Sequence, residues 1–242
     1  MVQANQLIGT KVCGPPDAAA ARAGRTLCGS SAALQWTVPG RAWRHSVKMR
    51  WLLIAAMAAS LMAAPGARAQ DGPEKGGHEF QFWTGGGVSR AGGVRDISMW
   101  NLGFRYGWIL TEAHGFTGLR GRLEYALDAT PIFWFFQPGS SAYGMGVSPL
   151  VLKWNFDAGN RIVPYVEVNE GLLVATHTVP PGGSHFNFTN SGAIGAHFLG
   201  PRANISAEIR LTHISDAGLT AYNPGVNLLQ VRIGLGRFLR SN

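Results

Sequence analysis

The fold class that the sequence predicts is all-β: an eight-stranded antiparallel outer-membrane β-barrel behind a cleaved signal peptide. Three observations predict it. A secretory leader precedes the part that folds, apolar and polar residues alternate with period two through nearly all the rest, and no cysteine remains there to cross-link it.

The leader comes first. Residues 49–69, "MRWLLIAAMAASLMAAPGARA", have a basic start at Lys48 and Arg50, an apolar run from Trp51 to about Ala64, and Ala67-Arg68-Ala69 as a small-x-small cleavage site. The run is shorter than the ~20 residues a spanning helix needs. Residues 1–48 read as an over-extended gene start that contributes no structure, with Met49 as the true first residue. Cleavage before Gln70 leaves 173 residues, one domain in size. It also removes eight of the 21 basic residues, one of the 13 acids, and both Cys13 and Cys28. The remaining chain carries 13 bases against 12 acids, so the apparent +8 belongs to the leader and gives no reason to expect nucleic acid. An exported chain without disulfides must draw its stability from burial or closure.

Residues 70–78, "QDGPEKGGH", read as a flexible start, and 79–242 as the barrel. Alternation predicts strands at about 79–89, 97–110, 118–130, 143–156, 162–175, 186–199, 203–215 and 226–239. Turn signals separate them, among them Ala91-Gly92-Gly93, Pro138-Gly139-Ser140, Pro180-Pro181-Gly182-Gly183 and Leu199-Gly200-Pro201. One face carries Trp100, Leu102, Phe104, Tyr106 and Trp108 in the second strand, and Leu150, Leu152, Trp154 and Phe156 in the fourth. The opposite face carries Arg120, Arg122, Glu124, Asp128, Glu167, Glu208 and Arg210, which can neutralise one another inside a narrow lumen. A soluble barrel with its apolar face inward is the competing arrangement. The charge content of the polar face and the strand lengths, near the ~9–11 residues of a spanning strand, favour the membrane.

The seventh strand raises a question of chemistry. Ala203, Ile205, Ala207, Ile209 and Leu211 make an outward stripe, and the next two positions on it are His213 and Ser215. Two residues on one face of a strand lie about 6.6 Å apart between Cα atoms at ~3.3 Å rise each, so an imidazole nitrogen and a hydroxyl can meet. Serine becomes a nucleophile when a neighbouring base takes its proton, and histidine does this near neutral pH. On a lipid-facing wall the substrate within reach is a lipid. His-x-Ser alone is nevertheless a short pattern with many chance matches.

The longer segment "HISDAGLTAYNPGVN" resembles the motif of the lipid A 3-O-deacylase (PagL-type) family, grouped with acyloxyacyl hydrolases. The resemblance implies an eight-stranded outer-membrane barrel that removes an ester-linked acyl chain from lipopolysaccharide in the outer leaflet. His213 would be the general base and Ser215 the nucleophile. Ala217 and Gly218 match the small residues after the serine and Asn223 matches a loop asparagine; the resemblance implies an oxyanion hole formed by Asn223 with the backbone N–H groups at Ala217 and Gly218. The likeness is sharp over about 15 residues and architectural elsewhere. The family's asparagine after the serine is Asp216 here, and the position of its triad acid is Asn227. An asparagine carbonyl can orient an imidazole but cannot stabilise an imidazolium as a carboxylate does. A non-catalytic structural or lipid-binding barrel that keeps the family shell is therefore the alternative reading.

No cofactor is implied. His78, His114, His177, His185 and His197 lack metal-ligand spacing, and there is no Gly-x-Ser-x-Gly, P-loop or dinucleotide fingerprint. The expected partners are the membrane and its lipid A. Whether the chain forms a homodimer is left open by the sequence.

Overall fold

The computed structural model describes residues 72–90, 92–159 and 161–240; the leader, the signal peptide and the start of the flexible segment lie outside them. Eight strands follow one another in chain order: β1 (His78–Ser89), β2 (Ser98–Ile109), β3 (Gly121–Gln137), β4 (Ser140–Phe156), β5 (Ile162–Val179), β6 (Ser184–Leu199), β7 (Asn204–Ser215) and β8 (Val226–Leu239). Each pairs antiparallel with the next, and β8 closes on β1. Closure satisfies every ladder and leaves no edge strand.

The side chains are sorted inside out. Exposed apolar residues stud the outer wall, among them Leu127, Leu150, Val166, Val168, Ile194, Ile209, Leu211, Val231 and Ile233. The inward positions hold charge. Arg105 clamps Asp128 through Nε (2.7 Å) and also grips Glu167. Lys153 bridges Glu79 and Glu124, Arg210 joins Glu167 to Glu208, and the Arg232 guanidinium lies 3.7 Å over the Trp83 ring. A soluble barrel would need the reverse arrangement, so the structure decides for a membrane barrel with a filled lumen. Lys153→Met would strand the two carboxylates that it neutralises. We expect it to destabilise the barrel by about 3–5 kcal/mol, read as a lower urea midpoint for the heat-modifiable gel shift.

Two expectations need correction. β3 continues to Gln137 and β4 starts at Ser140, so only Pro138-Gly139 turns the chain, with Gly139 at φ 85°. Pro131 and Pro149 lie inside these two strands. Both fall where the register shifts, between Thr130 and Phe133 and between Val147 and Leu150, and a bulge tolerates a residue without an N–H. Arg120 and Arg122, expected in the lumen, instead pair with Asp157 near the rim that carries the chain ends.

At the far rim the interior becomes apolar. Ile97, Met99, Phe133, Phe135, Leu173, Val179, Ile214, Val226 and Leu228 pack into a plug. The strands around it differ in length: β3 to β6 run 16–18 residues, whereas β1, β2 and β7 run 12. The wall is therefore lower on the β7–β8–β1 side, and that is where the histidine-serine strand ends.

Candidate active site

Strand alternation and the plug together position the site. Ile214, Val226 and Leu228 are fully buried in the plug, which fixes the ends of β7 and β8. Their neighbours must then face outward. His213 is exposed, while Ser215 and Asn227 are half-buried. The register places His213 directly opposite Asn227 on β8 and Asn190 on β6.

The imidazole is held by an amide used at both ends. His213 Nδ1 lies 2.8 Å from Asn227 Oδ1, and Asn227 Nδ2 donates to the Gly92 carbonyl at 2.8 Å. The second bond orients the amide, because only its nitrogen can donate to a carbonyl. Its oxygen therefore faces the ring, Nδ1 carries the hydrogen, and the Nε2 lone pair is left for a proton acceptor's task. The β1–β2 hairpin is tied down in support: Arg90 N–H donates to the Asn227 carbonyl at 2.8 Å, and Val94 N–H to that of Gly225 at 3.0 Å. Gly225, at φ 60°, lies against the ring so closely that a Cβ there would stand 2.9 Å from His213 Cε1.

The loop from Asp216 to Gly225 follows the serine and is held by its own hydrogen bonds. Asp216 does not reach His213. Its Oδ1 accepts the Gly218 N–H at 2.9 Å, and its Oδ2 accepts the Thr220 N–H at 3.1 Å and the Thr220 hydroxyl. The Thr220 hydroxyl above all, aided by those two N–H groups, holds the Asp216 carboxyl below the ordinary carboxylate range. A depressed folded pKa means that the loop's stabilisation is complete above the unfolded value of ~3.9 and is lost as pH falls through the lower folded one. In Asp216→Asn this acid-side loss should vanish, which a thermal melt series from pH 6 to pH 2 would show. Asn223 Oδ1 accepts the Asp216 N–H, that of the residue after the serine, at 3.2 Å, which orients the amide with Nδ2 as its donor end. Ala217 and Gly218 turn the chain at φ 55° and 83°.

The sequence-derived residues are thus gathered at one place, with two qualifications. Among the described residues no hydrogen bond joins Ser215 to His213; catalytic contacts are often loose until substrate arrives. The Gly218 N–H, expected to help an oxyanion, is already engaged by Asp216. Sequence reasoning missed Gly92, Gly225 and Thr220, and also Phe188, which pairs with Ser215 and meets Phe186 edge-on at 5.3 Å. Of these only Gly92 carried a signal, as part of a turn.

No curated protein sequence matches the chain significantly. Solved structures similar to it include the outer membrane enzyme PagL, 22% identical over 64% of this chain and 97% of that one, with a TM-score of 0.47. The outer membrane protein OprG from Pseudomonas aeruginosa is 11% identical over 70% and 99%, with a TM-score of 0.46. Neisserial surface protein A (NspA) is 16% identical over 69% and 98%, with a TM-score of 0.41. The family model for lipid A 3-O-deacylase (PagL) matches residues 100–236, which include His213, Ser215, Asn223 and Asn227. That match spans more than half of the chain, and the chain belongs to the lipid A 3-O-deacylase (PagL) family.

Proposed function

We propose that this protein is an outer-membrane serine ester hydrolase that removes an ester-linked acyl chain from lipid A or a similar glycolipid. The observation that carries this reading is the clamp of His213 by Asn227, itself fixed by the Gly92 carbonyl. It leaves Nε2 as the ring nitrogen not engaged by the amide, on the outward face of the strand that also carries Ser215.

The chemistry needs no further group. Ser215 Oγ attacks the ester carbonyl while His213 Nε2 accepts its proton. Asn223 Nδ2 donates to the oxyanion, a contribution of about 3–4 kcal/mol for one such donor. The tetrahedral species collapses, and Nε2 returns the proton to the departing sugar oxygen, leaving an acyl-serine. Water then attacks that ester, Nε2 takes the water's proton, and the fatty acid leaves as the serine recovers its hydrogen. Asn227 orients the imidazole throughout, without lending the negative charge a carboxylate would.

The second reading is a barrel that binds lipid without turning it over. It is favoured by the absence of a Ser215–His213 hydrogen bond among the described residues and by Asn227 at the acid's position. Mass spectrometry of lipopolysaccharide incubated with the full chain separates the two. Loss of one acyl mass supports the hydrolase, and intact lipid after prolonged incubation favours the binding barrel.

A further inference from the structure

A polar row crosses the outer wall obliquely, and it reaches beyond the residues used above. Following the ladder bonds around the barrel from β1, the outward positions are Phe80, Tyr106 and Leu127, then Leu150 across the β3–β4 bulge. From there the character changes. Leu150 pairs with Glu170, Glu170 with Asn190, Asn190 with His213, and His213 with Asn227, whose carbonyl accepts the Arg90 N–H. One circuit climbs β1 from Phe80 to Arg90, so the row rises toward the far rim as it runs from β5 to β1. With strands about 4.8 Å apart and tilted by about 40°, the rise is about 3 Å per strand. Arg90 therefore sits at the rim, and Glu170 lies roughly 6 Å deeper in the wall than His213.

Glu170 is out of place in ordinary terms. Its neighbours on the outward stripe of β5 are Val166, Val168, Leu172 and Val174, with Val168 55% and Val174 52% exposed. Among the described residues no hydrogen bond or ion pair occupies its carboxylate, and it belongs to none of the lumen networks. An ionisable group on a lipid-facing wall is costly, and such residues usually mark the path of a ligand. The polar half of the row begins at this residue and passes through His213.

Accepting the reading of His213 and Ser215 as the place where a lipid ester docks, we propose that Glu170 determines specificity for the acyl chain. Its carboxylate accepts a hydrogen bond from a hydroxyl carried on the chain within a few carbons of the scissile ester. Among the described residues nothing donates to it, so a lipid lying along the wall would bring the donor. A ligand lying along the row would leave its anionic head near Arg90 and its hydroxylated chain near Glu170.

The test uses the full chain in detergent and two synthetic glycolipid esters that differ only in a hydroxyl at the third carbon of the ester-linked chain. Binding is measured by competition in the Ser215→Ala background, where turnover cannot blur it. The hydroxylated lipid should bind about tenfold tighter, the factor that one hydrogen bond to a carboxyl group carries. Glu170→Leu should bring the ratio to about one, and Glu170→Gln, which keeps an acceptor, should retain part of the preference. Leucine suits this wall, so the heat-modifiable gel shift should be unchanged and will confirm folding. Equal binding of the two lipids to the Ser215→Ala protein, binding of neither, or a preference that survives Glu170→Leu overturns the proposal. Ester cleavage by the parent, measured in parallel, reports on the hydrolase reading alone. A preference without cleavage keeps this inference and sinks that one, and cleavage without a preference does the reverse.

Discussion

Ser215→Ala should leave a barrel that folds and binds lipid but releases no acyl chain, with a rate loss on the order of 10⁴–10⁶. The size follows from chemistry: without Oγ there is no acyl-serine, and only oriented binding and the Asn223 donor remain to assist water. Folding should be untouched, because Ser215 is half-buried at the end of β7 while the neighbouring Ile214 does the packing. The measurement is the acyl mass lost from lipopolysaccharide over time, with the heat-modifiable gel shift run beside it. Cleavage by Ser215→Ala at the parent's rate would remove Ser215 from the mechanism.

The second large effect is at Asn227. Asn227→Leu removes both the acceptor that holds His213 Nδ1–H and the donor to Gly92, so the ring is free to rotate and to change tautomer. A loss of tautomer control of this kind costs about 10⁴ in rate. Asn227→Asp is the informative companion. It keeps an acceptor for the ring and adds the charge that an imidazolium prefers. It also turns an oxygen toward the Gly92 carbonyl, where the amide had donated. These effects oppose each other, and we expect activity within about tenfold of the parent. Rates for both variants on the same lipid check this. An Asn227→Leu protein as active as the parent would remove the clamp from the mechanism.

Much of the barrel was legible because its determinants are local. Period-two alternation gave eight strands in order, and most of their faces, since a strand's side chains must alternate whatever surrounds it. The errors lie where a local signal has two tertiary outcomes. Alternation ends the third strand at about 130, yet a bulge carries β3 past Pro131 to Gln137. Arg120 and Arg122 have the right type for the lumen, but their height on the wall gives them to Asp157. The site divides in the same way. His213 and Ser215 declared themselves by spacing, and Asn223 and Asn227 by the motif's resemblance. The role of Asp216 was not legible, and only its bonds to Gly218 and Thr220 assign it to the loop.

By itself, then, the sequence determined the strand order, the two chemically distinct faces and the histidine-serine pair, all carried by contacts one or two residues long. Which face met lipid rested there on the kind of charge it held; the closed barrel decides it. The tertiary structure also set the amide of Asn227 by a carbonyl from Gly92, 135 residues away, and aligned Glu170, Asn190 and His213 across three strands. The physical reason is register. A ladder's alignment depends on the shear with which the whole sheet closes, and no segment of one strand contains that quantity.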